Sequence, residues 1–349
     1  MKTKIFTLLF ATLVCVGTMF AEATLIGELN YILDAATQTA EVTERLNPDR
    51  KNYSSILGAL TIPSTVNYNG VTYTVTSIGE DAFHSCEGLT SVTLPNTLNA
   101  IVEEAFYGCS SLVSITIPGG VITIGERAFC YCRSMTSLTL EDGVTTLELS
   151  AFGGCSGLTS VTLPNSITSI GNQAFENCSS LVSINIPSSV TYIGTYAFEG
   201  CESLASPIVI PEGVTKLDDG VFINCSSLTS ISLPQSLKRL EGTYFGTFAG
   251  CDGLETIYVH RDTPANADSN TFNGVDKYSC TLYVPRNSIS LYESASVWRD
   301  FYNIEAIEDV MAVDEIDADG THGQKVVRDG QVLIEHGDKT YTLTGAEVK

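Results

Sequence analysis

The chain has 349 residues, 44% hydrophobic and 17% charged, so it can bury a core and does not read as a disordered acidic polymer. Its 40 Asp and Glu outnumber 18 Lys and Arg, giving a net charge of −22, and no basic stripe offsets that balance. Nucleic acid is therefore not expected as a partner.

Residues 1–23 read as an export leader. Lys2 and Lys4 make a basic start, Ile5 to Phe20 is apolar, and Ala21-Glu22-Ala23 offers a small-x-small cleavage pattern. An apolar run of 16 residues is shorter than the roughly 20 that cross a bilayer. Cleavage after Ala23 is expected, and no integral membrane span remains in the mature chain. Val14 before Cys15 argues against a lipidated cysteine.

A repeat dominates the chain from residue 78 to 285. Phe83, Phe106, Phe129, Phe152, Phe175, Phe198, Phe222 and Phe248 are each followed three positions later by a cysteine: Cys86, Cys109, Cys132, Cys155, Cys178, Cys201, Cys225 and Cys251. Three positions on stands a leucine or, once, Met135. Five successive spacings are 23 residues, and the last two are 24 and 26. Self-similarity at such a period marks a solenoid, whose single coils cannot hide their apolar sides alone.

Within one coil, Val161 and Leu163 alternate with Ser160 and Thr162, the period of two of a short strand with hydroxyls outward. Pro164 should end that strand and Asn165-Ser166 bend the chain. Ile167 and Ile170 form a second extended run, closed by Gly171, where a positive φ is expected. Parallel stacking of such coils would place each Phe over its counterpart, with roughly 1.5 to 3 kcal/mol gained per buried ring. Two places break the rhythm: one residue is added around Pro207, and Glu241 to Thr247 is three residues longer than its counterparts.

The pattern F-x-x-C-x-x-L-x-x-φ-x-φ-P followed by I-G-x-x-A-F, with φ aliphatic, resembles the leucine-rich repeats of BspA-type bacterial surface proteins. The resemblance runs over roughly residues 56–285. It implies a β-rich leucine-rich repeat solenoid of 23-residue repeats with short parallel strands, capped at both ends, in a secreted or cell-surface protein that adheres to host matrix or other cells. It implies no catalytic residues. Residues 24–77 are similar to an N-terminal hairpin-like cap with a first partial repeat, and 286–308, including Leu291, Tyr292, Trp298 and Phe301, to a C-terminal cap with a short helix. Residues 309–325 read as an acidic linker. In 326–349, Val332-Leu333-Ile334 and Tyr341-Thr342-Leu343 read as a small β-meander, similar to C-terminal sorting tails through which the chain would attach to the envelope.

Chemistry is sparse. The repeat cysteines should point inward as small apolar groups with a weak donor, and stacked, like-directed thiols rarely offer disulfide torsion. Cys130 and Cys280 lie outside the template, and Cys130-Tyr131-Cys132 lacks a second pair for a metal. His84, His260, His322 and His336 each read as a solvated surface residue, with no adjacent nucleophile. No catalytic residue, metal or cofactor is expected. The informative surface is the outward row: Ser114, Thr116, Ser137, Thr139, Ser160, Thr162, Ser183 and Asn185 in register, with Tyr258 replacing the Thr near the end beside His260. Such a face could meet an extracellular protein or glycan. An envelope scaffold without a soluble ligand is the main rival reading, and a hydrolytic enzyme a weaker one.

Overall fold

A computed structural model describes residues 23–43 and 56–307, and beyond them the backbone of five strands between 313 and 348. The export leader lies outside the described residues. No helix among those described is long and apolar enough to cross a membrane.

The central coil shows how the template becomes structure. Ser160–Thr162 is the first strand and Ser169–Ile170 the second. Each pairs in parallel with its counterparts on neighbouring coils, with Leu138 opposite Val161 and Leu147 opposite Ile170. The corner around Phe supplies a third hydrogen-bonded side. There Phe152 N–H donates to Ala174 O (2.9 Å) and Phe175 N–H to Ala197 O (2.8 Å), each bond reaching the next coil. That corner needs two left-handed residues per coil, Gln173 (φ 56°) and Asn177 (φ 55°) in one case, which accounts for the Asn or Gly two positions after most of the Phe residues, Ser85 and Tyr131 being the exceptions. Gly171 is required for another reason than the positive φ expected of it. A Cβ there would lie 2.5 Å from Leu147 O, so glycine permits close approach of the preceding coil.

Nine phenylalanines, Phe83 to Phe272, stack as nearly parallel rings with centroids 4.9–5.7 Å apart, every one of them buried. The stack ends on Trp298 and Phe301, which meet Phe272 edge-on. Trp298 Nε1 donates to Ala265 O (2.8 Å), so the closing aromatic has its polar handle satisfied. The C-terminal cap holds the expected short helix, Ile289–Ser294, and one further parallel strand, Asn303–Ala306, against Thr281–Val284. At the other end, Thr24–Ile26, Leu29–Asp34 and Thr39–Thr43 form an antiparallel ribbon whose last strand runs parallel to Val71–Ile78.

The added residue near Pro207 interrupts the solenoid on two sides. The first-strand ladder stops at Ser183–Ile184 and restarts at Ile208–Val209; the second stops at Tyr192–Ile193 and restarts at Lys216–Leu217. Pro207 brings no N–H to a ladder. The Phe side continues without a gap, with Phe198 and Phe222 5.3 Å apart and Phe198 N–H donating to Val221 O (2.9 Å). The longer segment Glu241 to Thr247 is held by Asp219, whose carboxylate accepts the N–H groups of Tyr244, Phe245 and Gly246. Tyr244 and Phe245 are left exposed.

The tail differs from a linker followed by a meander. Val313–Ile316 lies inside the segment read as linker and pairs antiparallel with His322–Arg328; Gln331–His336, Lys339–Thr342 and Glu347–Val348 complete a separate five-stranded antiparallel sheet. Val313 and Ile316 break the acidic run with β-formers, the signal that the count of carboxylates obscured.

Candidate functional site

The outward row is assembled by the first-strand ladder. Ser114 stands opposite Ser137, Thr116 opposite Thr139, Thr139 opposite Thr162, and Ser160 opposite Ser183. Alternation along each strand turns Ile115, Leu138, Val161 and Ile184 into the core and leaves these hydroxyls on the surface, with Ser183 half-buried. At the start of the row an open depression of about 260 Å³ is lined by Ser91, Thr93, Asn96, Ser114, Thr116 and Glu141. Asn96 and Glu141 were not in the sequence reading, because they follow the strands rather than sit on them.

Asn185 does a different job from its neighbours. Leu163 N–H donates to Asn185 Oδ1 (2.8 Å), and Asn185 Nδ2 donates to Leu163 O (3.1 Å). The side-chain amide pairs with the backbone N–H and C=O of Leu163 on the preceding coil, so its polar atoms are already committed to backbone.

Beyond the interruption the same face changes character. Ser232, Tyr258, Tyr283 and Glu305 occupy successive register positions. Tyr258 and Tyr283 stack at 4.9 Å with an interplanar angle of 11°, both half-buried. Extending the φ-x-φ-P template by one more unit, over Thr281 to Pro285, places Tyr283 beside Tyr258. Tyr278 and Tyr302 lie 6.0 Å apart at the entrance to the last two strands, and both are about 78% exposed.

His260 is not a solvated surface residue. It is half-buried, and its Nε2 lies 2.9 Å from Ser232 Oγ, one coil away. The sequence placed no serine beside it because the two are 28 positions apart. Ser232 is buried, so its hydroxyl holds the imidazole rather than facing a substrate.

The cysteines line one level of the core. Cys109, Cys132, Cys155, Cys178, Cys201, Cys225 and Cys251 each direct Sγ at the carbonyl of a phenylalanine on the preceding coil, at 3.0–3.3 Å. All ten cysteines in the described residues are free thiols, and all are buried. Burial pushes Cys130 up to about 11 and Cys251 and Cys280 up to about 12, which keeps them protonated and poorly nucleophilic.

The family model described as the BspA type leucine-rich repeat region matches this chain in six copies, over residues 63–181, 145–279 and 203–311. Among solved structures, a leucine-rich repeat protein from Bacteroides ovatus is 26% identical with a TM-score of 0.59, over 81% of this chain and 76% of its own. A leucine-rich repeat protein from T. pallidum is 29% identical with a TM-score of 0.48, over 67% and 91%. No curated protein matches the chain.

Proposed function

The chain belongs to the BspA-type leucine-rich repeat family, and from that premise we propose that it is a non-catalytic recognition protein of the cell exterior, binding an extracellular protein or glycan through the outward side of its first-strand ladder. The observation that carries this is the Tyr258–Tyr283 pair: two parallel rings, partly open to solvent, placed on an otherwise small, hydroxyl-bearing face. Rigid aromatic anchors with a polar surround concentrate contact energy in recognition surfaces. Ser114, Thr116, Ser137, Thr139, Ser160 and Thr162 supply short donors and acceptors on the approach to them. The export leader read in residues 1–23 supports an exterior location, and the C-terminal strands would serve attachment to the envelope.

The reading is tested with the mature chain immobilised against panels of extracellular-matrix proteins and glycans. Saturable binding is expected, weakened at least tenfold by Tyr258→Ala or Tyr283→Ala in variants that still melt cooperatively. Absence of binding across both panels, or binding indifferent to these changes, sinks it and favours an envelope scaffold.

A further inference from the structure

In the first six coils the corner that precedes each Phe carries a different side chain: Asp81, Glu104, Arg127, Ser150, Gln173 and Tyr196. Asp81 and Glu104 share a left-handed backbone (φ 54° and 51°), so their carboxylates leave the same corner one coil apart. His84, just after the first Phe of the stack, rests its ring on Tyr107 at 4.8 Å and 12°. This brings one ligand atom from each of Asp81, His84 and Glu104 within 4.8 Å of the others, and no other three such groups converge among the described residues.

We propose that Asp81, His84 and Glu104 bind one first-row divalent cation of the zinc class, clipping the first two coils together.

Two of the three donors are oriented by a neighbour outside the trio. Ser85 Oγ lies 3.0 Å from His84 Nδ1, which leaves Nε2 turned towards Glu104 Oε2 at 3.4 Å. Arg127 Nη1 holds the other oxygen of Glu104 at 3.3 Å. Outer contacts of this kind position imidazole and carboxylate ligands in metal sites. The separate observation is Asp81 Oδ1, which is buried with no hydrogen-bond partner. A shielded carboxylate oxygen without a donor is costly, and a cation bound by the Asp81 carboxylate would offset that cost. One imidazole nitrogen with two carboxylate oxygens suits zinc better than calcium or magnesium, which prefer oxygen throughout, and three protein donors leave a position for water. His84 and Glu104 side chains are 31% and 24% exposed, so an ion can reach the site from solvent. His84 looks isolated in the sequence because Glu104, the carboxylate beside it, comes from the next coil.

The test is calorimetric titration of the chelator-treated mature chain with ZnCl2, alongside thermal melts. One zinc per chain is expected, with a melting temperature that rises with zinc concentration. His84→Ala and Asp81→Asn should each weaken binding at least tenfold, whereas Glu293→Gln on the capping helix should not; should His84→Ala fail to fold, His84→Gln replaces it. The cobalt-loaded protein should show nitrogen and oxygen coordination. No saturable binding, unchanged affinity in the His84 variants, or a cobalt–thiolate absorption band would each overturn the proposal.

Discussion

The coils up to residue 193 and those from residue 208 are threaded on one aromatic stack, yet their outer faces are built on different terms. In the first group the ladder runs unbroken from Gly58–Thr61 to Ser183–Ile184, and its outward positions are nearly all Ser and Thr. In the second, the ladder from Ile208–Val209 to Asn303–Ala306 carries Tyr258, Tyr283 and Glu305, and Ser232 is buried beside His260. Between them the strands do not pair, and continuity rests on the Phe side, the core and the bonds from Ser203, Ala205 and Ser206 N–H to Ser179 and Val182 O. The contrast teaches that the inward positions are under one geometric demand throughout, while the outward positions answer to local neighbours and are free to differ.

The largest effect should come from testing whether the stack is the main bridge across the interruption. Phe152→Ala, inside the continuous ladder, should cost about 3 to 5 kcal/mol and leave one cooperative transition. Phe198→Ala, at the interruption, should cost a similar amount and split the calorimetric melt into two. A single transition in Phe198→Ala, or a cost below about 1 kcal/mol in either, would count against an aromatic spine as the bridge.

A smaller effect is expected at the end of the first ladder. Asn185→Ala removes both side-chain bonds to Leu163 and should lower stability by about 1 to 2 kcal/mol in chemical denaturation. Binding through the outer face should be unchanged, since the amide is already committed. Loss of binding without loss of stability would return Asn185 to the recognition surface.

The smallest change concerns the interruption itself. Ser206 Oγ is buried without a partner, next to the added residue. Ser206→Ala should therefore raise stability, by about 1 kcal/mol, because it removes an unmet hydrogen-bonding group. A loss of stability would mean that the hydroxyl has a partner after all.

Much of this was legible in the repeat. Phe-x-x-Cys-x-x-Leu at a constant spacing has one economical solution, and the strands at Ser114–Ile117, Ser137–Leu140 and Ser160–Thr162 lie where alternation put them. The outward hydroxyls followed from the same period. What could not be read were contacts between coils made by side chains that the template leaves variable. Asn185 looked like one more polar outward residue, whereas its amide turns back to the backbone of Leu163 on the preceding coil. Gly171 looked like a turn glycine, whereas the carbonyl of Leu147 in the previous coil sets its size limit. His84 and His260 looked solitary because their partners, Glu104 and Ser232, lie 20 and 28 positions away.

By itself the sequence determined the period, the inward set and the direction of the strands, since apolar side chains recurring every 23 residues can be covered only by their own counterparts. The tertiary structure decided where the two ladders part, which polar groups are consumed by backbone, and which acids meet which histidine. Those outcomes depend on distances across neighbouring coils, and a linear pattern carries no information about a side chain's reach in that direction.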